Sequence, residues 1–508
     1  MKKGNSLILT KAVALFLSLI FICSAVTPAF AADGESTKSE KNYIIDNPYE
    51  DIDWDTWGSY KTQLHSHTTA SDGYLTIHEY VQEHYDYDYD IVALTDHGTI
   101  NKGWNQVPDL IPLLRFVKKE RTKMADIVPL TEEEYAAYQN GTAKSEQSPN
   151  YTPTRTHANG MLDVPKGIEL NMATPVADCH LTGYFCDYGQ GLAGVFGDYE
   201  TPSRGVKEAG GISFLSHVGE YVYTDKDSAD HVGQKIDDYY PTKFARIFLD
   251  NAGSSLGMGI NSATDAHTRC DRILYDQVLQ KTIPNGVVPW GNTFADSHNM
   301  NSVNDAFTMN WMKDFNMDAF RESLEKGQFF SITYYSNGVE LNGMPEIPGF
   351  DEEKADEQKL ANAPTPNVTR LTVDQDADTI TVEGVNFKYI TWVSNGNVLR
   401  RDTVTDGKAT LNLHDDNFEA EPYLYVRFYI TDEEGKNNGI CYSQPLVLHV
   451  EGEDFEPVEV AKTRDLPYYL RLLVTVLDWT VFKFNPIIWI FKYFALGYNV
   501  FDNFFNAY

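Results

Sequence analysis

Residues 63–73 read QLHSHTTASDG, and their types and spacing could hold a cation. Alternate side chains of a strand point to one side, so His65 and His67 would face the same way and could share a metal. A lone His-x-His is weak evidence, because short motifs recur by chance. The chain has five more ends of this kind. Asp96 and His97 end the run IVAL, and Glu169 sits in PKGIELN. His180 opens HLTGYF, His217 ends GISFL, and Asp296 and His298 end VVPWGNTFA. All are imidazoles or carboxylates, the ligand set for Zn, Mn or Fe. A buried His or Asp without a partner is costly, so several converging on one rim would call for a cation to neutralise them.

These groups need elements to aim them. DIVALTDHG (90–98), GGISFLSHVGE (210–220) and VVPWGNTFADSH (287–298) are apolar runs that end in polar groups. Helical patterns separate such runs, which predicts βα units with parallel strands. The polar groups then sit at strand C-terminal ends, where α/β barrels place their active sites. SATDAHT (262–268) offers a competing Asp-x-His, but the stretch before it, GSSLGMGIN, is Gly-rich and does not read as a strand. Asp265 and His267 are therefore expected in a loop near the mouth. Residues 103–165 form a long insertion that is either a substrate lid or a surface decoration. Within it, TEEEYAAYQNG (131–141) reads as a helix closed by Asn-Gly. His78 and His84, in the helical pattern IHEYVQEHY, and His231, His414 and His449 are expected to be ordinary surface or core histidines. Cys179 has no paired base nearby and is no nucleophile candidate.

The N-terminus, MKKGNSLILTKAVALFLSLIFICSAVTPAFA, has a lysine-bearing start, an apolar centre and a small-residue end. That is the pattern of a secretory signal peptide over residues 1–31, so the protein is expected to be secreted or extracellular. Removing it takes away three lysines and no acids, moving the net charge from −32 to −35. Such a surface repels polyanions and excludes long nucleic acid as a partner. Residues 32–57 read as a polar segment, 58–350 as the metal-bearing domain, and 351–366, DEEKADEQKLANAPTP, as a linker. Residues 367–452 alternate polar and apolar around Asn-Gly and Asp-Gly turns, which predicts a small antiparallel β-sandwich. Residues 453–508 end in an apolar, aromatic tail without the ~18 to 20 uninterrupted apolar residues of a spanning helix. It either anchors at a membrane interface or packs back on the protein. A membrane surface or the cell wall is the partner that the tail or the β domain would reach. The four cysteines past the signal, Cys179, Cys186, Cys270 and Cys441, form no dense disulfide framework.

The order QLHSHTTASDG, ALTDHG, GIEL, HLTGYF, FLSHV and FADSH, over residues 58 to about 340, resembles the PHP superfamily, the polymerase-and-histidinol-phosphatase metallohydrolases. The helix start D-x-x-L of that family is matched by DRILYDQVL (271–279), which favours Asp296 and His298 over Asp265 and His267. The secreted context and the C-terminal β domain look more like the branch containing the carbaryl-hydrolase-like enzymes. The resemblance implies an α/β fold: a distorted (β/α)7 PHP barrel, followed here by the small all-β sandwich domain and the apolar C-terminal tail. It also implies two or three divalent metal ions (Zn, Mn or Fe) at the barrel's C-terminal face. By motif, His65, His67, Glu169 and Asp296 would hold the first. Glu169 would bridge to a second with His180 and His217. His97 and His298 would hold a third, with Asp72 of the Ser-Asp-Gly beside them. Glu169 and Asp296 would act in catalysis, and Asp96 would orient His97 or the barrel rim. Metals in such a centre acidify bound water, and a metal-bridging hydroxide would attack phosphorus in line. A phosphoester is thus the expected small-molecule substrate, with Arg155, Arg269 and Arg272 as the cations to meet it. A carbamate, ester or amide is the alternative substrate. A non-catalytic surface binding protein with structural metals is the reading from another class.

Overall fold

The computed structural model describes residues 42–109, 127–145, 159–170, 180–190, 199–221, 236, 238–262, 271–335, 352–415, 424–433 and 436–462. The first element is a strand, β1 (Tyr43–Asp46), followed by β2 (Gly58–Gln63), helix α1 (Ile77–Asp86), β3 (Ile91–Val92), α2 (Glu132–Gln139), β4 (Leu162–Asp163) and β5 (Ile168–Leu170). Next come β6 (Leu181–Tyr184), α3 (Glu200–Glu208), β7 (Ile212–Leu215), α4 (Tyr239–Asp250), β8 (Ser255–Ser262), α5 (Asp271–Thr282) and β9 (Trp290–Phe294). Then β10 (Ala306–Met312), α6 (Met317–Lys326) and β11 (Phe329–Thr333) return across the sheet. Local chemistry sets the helix ends. Thr76 and Glu79 form a reciprocal capping box at the start of α1, and Thr131 and Glu134 do the same for α2. Asn140 then closes α2, and Gly141 at φ +72° turns the chain away, as the Asn-Gly of the sequence predicts.

The pairings that carry the site run in a ring. β2 lies parallel to β3, and a parallel bridge between His97 and Glu169 links the end of β3 to β5. β5 and β6 pair, then β6 and β7, β7 and β8, and β8 and β9. A second parallel bridge, Ser66 to Ser297, returns from β9 to β2. The strands are not all parallel: β6 runs antiparallel to both its neighbours. Ten residues separate β5 from β6, too few for the dozen or so a parallel crossover needs.

The Gly-rich stretch 253–261 departs from the expectation, because it contributes most of strand β8. A Cβ at Gly257 would lie 2.0 Å from the Trp290 carbonyl oxygen of β9. The glycine lets the neighbouring backbone approach rather than breaking the strand.

The C-terminal region departs as well. Residues 352–360 of the expected linker form helix α7 (Glu352–Leu360). Its Glu, Lys, Ala, Gln and Leu are all good helix formers, and Lys359 is buried, with its ammonium 2.7 Å from Asp305. The strands beyond are β12 (Asn367–Asp374), β13 (Thr379–Val385), β14 (Tyr389–Ser394), β15 (Asn397–Thr403), β16 (Lys408–Asn412), β17 (Tyr425–Glu433), β18 (Lys436–Tyr442) and β19 (Leu446–Val450). All their pairings are antiparallel, but they do not stand apart. β18 pairs with β11 through Ser331–Tyr442, Ile332–Cys441 and Thr333–Ile440, so one eleven-stranded sheet spans both regions. A buried ion pair adds to this seam, with the Arg427 guanidinium of β17 donating to both carboxylate oxygens of Asp276 on α5. Residues 42–57, the described part of the expected polar segment 32–57, join it too. β1 pairs with β19, and Tyr43, Ile45, Tyr49 and Ile52 are buried.

Cys186 and Cys441 are buried free thiols, while Cys179 and Cys270 lie outside the described residues, as does the tail from 463 onward. Among the described residues no helix is long and apolar enough to cross a membrane.

Candidate metal centre

His65, His67, His97, His217, Asp296 and His298 follow strand ends, His180 immediately precedes β6, Asp72 lies in the loop after β2, and Glu169 is the middle residue of β5. His65 and His67 follow β2, and both rings are fully buried. The His65 Nδ1 lies 3.1 Å from the Thr95 hydroxyl and the His67 Nδ1 3.3 Å from the Ser71 hydroxyl. These contacts fix each ring so that Nε2 faces the centre. The loop after His67 closes tightly, with the Ser71 and Gly73 N–H groups both donating to the Thr68 carbonyl. A Cβ at Gly73 would sit 2.1 Å from the His67 carbonyl oxygen, so the Gly of Ser-Asp-Gly is what permits this turn. The turn brings Asp72 back over the cluster.

Glu169 stands at the middle. Its Oε1 lies 3.4 Å from His65 Nε2, 2.8 Å from His180 Nδ1 and 3.4 Å from His217 Nε2. Its Oε2 lies 3.1 Å from His67 Nε2 and 3.0 Å from His97 Nδ1. Asp296 faces it, with Oδ1 3.0 Å from His65 Nε2 and 3.1 Å from His67 Nε2, and Oδ2 3.8 Å from His217 Nε2. Asp72 Oδ1 lies 3.5 Å from the Nε2 of both His97 and His298. Among the described residues, three groups have donor atoms close enough together to hold an ion: His65, His67, Glu169 and Asp296; His97, Glu169 and His180; and His67, Asp72, His97 and His298. The first is the set expected for the first metal. In the second, His97 takes a place the motifs gave to His217, whose ring nonetheless lies 3.3 Å from His180. In the third, His67 joins the expected trio.

The charges in this cluster depend on one another. Burial alone would raise the Glu169 carboxyl, but His180, His65 and His97 outweigh it and hold it well below the usual carboxylate range. Asp296 is held down likewise, against burial, by His65, His67 and His217. Burial would lower His65 and His67, yet Glu169 and Asp296 keep both raised. His97 is the exception, since burial drives it down to about 4. Both Glu169 oxygens, Asp296 Oδ1 and the Nε2 atoms of His65 and His67 are buried without a hydrogen bond. A native interior rarely leaves so many lone pairs facing one another. An acid-and-imidazole donor set of this kind fits divalent cations, with each imidazole neutral and each carboxylate charged.

The backbone is strained at the same place. Asp296 adopts φ +47° and His217 φ +22°, left-handed values that cost a residue with a Cβ and persist only where the surroundings over-determine them.

One expected role narrows and one changes. Of the two roles expected for Asp96, orienting His97 or the barrel rim, the contacts favour the second: its carboxylate accepts the Thr68 N–H and hydroxyl, each at 2.8 Å, and the Ser71 hydroxyl at 2.6 Å. It braces the loop opposite, because the strand end aims its side chain across to β2. Arg272 was expected at the mouth, but it is 1 % exposed, with its guanidinium donating to Asn261 at 2.6 Å. Arg155, Arg269, Asp265 and His267 lie outside the described residues. His84 is a core histidine, pushed down to about 3 by burial. His78, His414 and His449 lie away from the cluster beside Glu134, Asp378 and Asp46. Sequence reasoning passed over the supports Thr68, Ser71, Thr95 and Ser297. Their signal was proximity, since each lies within two residues of a motif ligand.

No family model and no curated protein matches the chain. Among solved structures, it is similar to a two-domain protein of Bacteroides vulgatus containing a predicted PHP-like metal-dependent phosphoesterase. That match has 15 % identity and a TM-score of 0.36, covering 79 % of this chain and 99 % of the other. An amidohydrolase from Chromobacterium violaceum, solved with bound sulfate and no metal, matches at 13 % identity and a TM-score of 0.26. It covers 47 % of this chain and 87 % of that one.

Proposed function

We propose that this chain is a secreted PHP-type metal-dependent hydrolase that cleaves phosphoesters at a centre of two or three divalent ions. The observation that carries the metal reading is the convergence of His65, His67, Glu169 and Asp296, three buried residues and one partly buried carboxylate from three separate motifs whose donor atoms face one another. The ring of pairings through β2, β3 and β5–β9 supports the distorted (β/α)7 barrel that the motif order implies. Bound divalent ions would supply Lewis-acid charge and a water of lowered pKa.

The protein's own part is positioning. Glu169 and Asp296 hold negative charge at the base of the site. His65 and His67 are locked at Nδ1 by Thr95 and Ser71, so only Nε2 can turn to the centre. His298 (27 % exposed) and Asp72 (19 % exposed) are the members most open to solvent, so the scissile bond enters on their side. His298 lies within hydrogen-bond distance of the Asp296 carbonyl through Nδ1, which leaves Nε2 beside Asp72 Oδ1.

The test is elemental analysis of protein purified without chelator, followed by assays on a phosphomonoester, a phosphodiester and an aryl carbamate. Two or three equivalents of Zn, Mn or Fe with turnover of a phosphoester support the proposal. Turnover of the carbamate alone would move the substrate class to carbonyl compounds. No metal after reconstitution would leave a binding protein.

A further inference from the structure

Two segments of the metal centre share a pattern that the proposed function does not use. His65-Ser66-His67 and Asp296-Ser297-His298 each place a serine between two members of the cluster. The two serines come together, for Ser66 and Ser297 form a parallel bridge and the Ser297 carbonyl accepts the His67 N–H at 2.9 Å. Both are 0 % exposed, and their hydroxyls share one partner.

That partner is Tyr80 of α1. It is itself 0 % exposed, and its hydroxyl lies 2.7 Å from Ser297 Oγ. Ser66 is a side-chain hydrogen-bond partner of the same phenol. The protons have one consistent arrangement. Ser66 Oγ donates to the Ala93 carbonyl at 2.7 Å, a group that can only accept. Ser66 therefore accepts from Tyr80, and Ser297 donates to the phenol oxygen. All three hydroxyls are then satisfied in a place where a missing partner is costly.

This clasp bears on the ion. The Nε2 atoms of His65 and His67 lie 3.0 and 3.1 Å from the same Asp296 oxygen, so the two segments offer donors to one position. Asp296 holds φ +47°, a strained value that persists only between fixed neighbours. Tyr80 supplies one of them, because its hydroxyl anchors the next residue, Ser297.

We propose that Tyr80 is a positioning residue of the metal centre: its phenol, lodged between Ser66 and Ser297, fixes the gap between the His65–His67 pair and Asp296 and so sets how tightly their shared ion is held. The proposal rests on the metal-centre reading and not on any substrate class.

The experiment titrates cobalt(II) into the full chain after chelator treatment and dialysis, and reads both affinity and visible absorption. Tyr80→Phe keeps the ring and removes the hydroxyl. Its cobalt affinity should fall roughly ten- to hundredfold, the usual loss when a group supporting a metal ligand is removed, and the absorption band should shift. Ser297→Ala should act in the same direction, and the double variant should lose less than the sum of the two, because both break one bond. Tyr89→Phe is the matched control, since Tyr89 is also 0 % exposed and its hydroxyl donates to the Val303 carbonyl at 3.0 Å. It should lower the urea midpoint of the metal-free chain as Tyr80→Phe does, yet keep the parent's cobalt affinity and spectrum. Parent-like cobalt binding in a folded Tyr80→Phe or in Ser297→Ala, or an equal loss of affinity in Tyr89→Phe, would overturn the proposal and leave the centre standing. A parent chain that takes up no cobalt would overturn the centre itself, and this proposal with it.

Discussion

Asp96 and Thr68 are joined twice: the carboxylate of Asp96 takes the Thr68 backbone N–H on one oxygen and its hydroxyl on the other, both at 2.8 Å. The chain neighbour of Asp96 is His97, yet its side chain reaches across to the loop that carries Asp72. Asp96→Ala should therefore leave three buried donors, including the Ser71 hydroxyl, without their acceptor. A loss of about 3 kcal/mol in urea unfolding is expected, since buried unsatisfied donors cost ~1–3 kcal/mol each. Metal content should fall with it. A variant as stable and as metallated as the parent would refute the bracing role.

Glu169 lies against five of the six clustered imidazoles, which makes it the most informative single change. The parent should be stabilised by bound ion, by about 2.7 kcal/mol when free metal is a hundred times its Kd. EDTA should lower the parent's melting temperature and leave that of Glu169→Gln unmoved. Equal responses to EDTA would show that the carboxylate charge holds no ion.

Gly73→Ala tests the turn over His67. The added Cβ meets backbone at 2.1 Å, and backbone cannot swing aside as a flexible side chain can. Overpacking of this kind costs ~1–3 kcal/mol, and the displaced loop should carry Asp72 away from His97 and His298. Calorimetry and metal titration read the two effects separately. A neutral substitution would mean that the turn has room the structure does not show.

Asp163 gives a pH dependence away from the cluster. Burial lifts its carboxyl to about 7 from an ordinary 3.8, with the Trp104 N–H and Tyr135 opposing the rise. The folded chain keeps this proton where the unfolded chain has released it. Its contribution to stability is complete below about pH 4 and is lost as the pH climbs to about 7, by at most ~4 kcal/mol in all. Asp163→Asn cannot ionise and keeps an acceptor for Trp104, so its stability should fall less steeply over that window. Matching slopes from pH 4 to 7 would remove Asp163 as the cause.

Most of the ligands were legible because they stand at the ends of short apolar runs: His97, His217, Asp296 and His298 follow theirs and His180 opens one. The grouping was only partly legible. That His97 offers one nitrogen to Glu169 and the other toward Asp72 depends on where two strand ends meet, which local sequence does not encode. Arg272 misled because nothing within its own segment shows the Asn261 and Tyr442 partners that bury it. The glycines of β8 misled in the opposite direction, since they resemble a break and serve a close approach. The helix at 352–360 was hidden by its charge, for a surface of Glu and Lys reads as solvent-loving whether or not it is helical.

The hydrogen bonds between β11 and β18 bear on how this protein can be cut and recombined. A fragment ending near residue 350 would keep every ligand of the cluster but bare the β11 backbone at Ser331–Thr333, an open edge that invites pairing with other chains. It would also strand the Asp276 carboxylate, 0 % exposed, without the guanidinium that neutralises it. The metal-bearing part is thus no portable cassette. Whatever the C-terminal strands contribute, they travel with it as one inheritance.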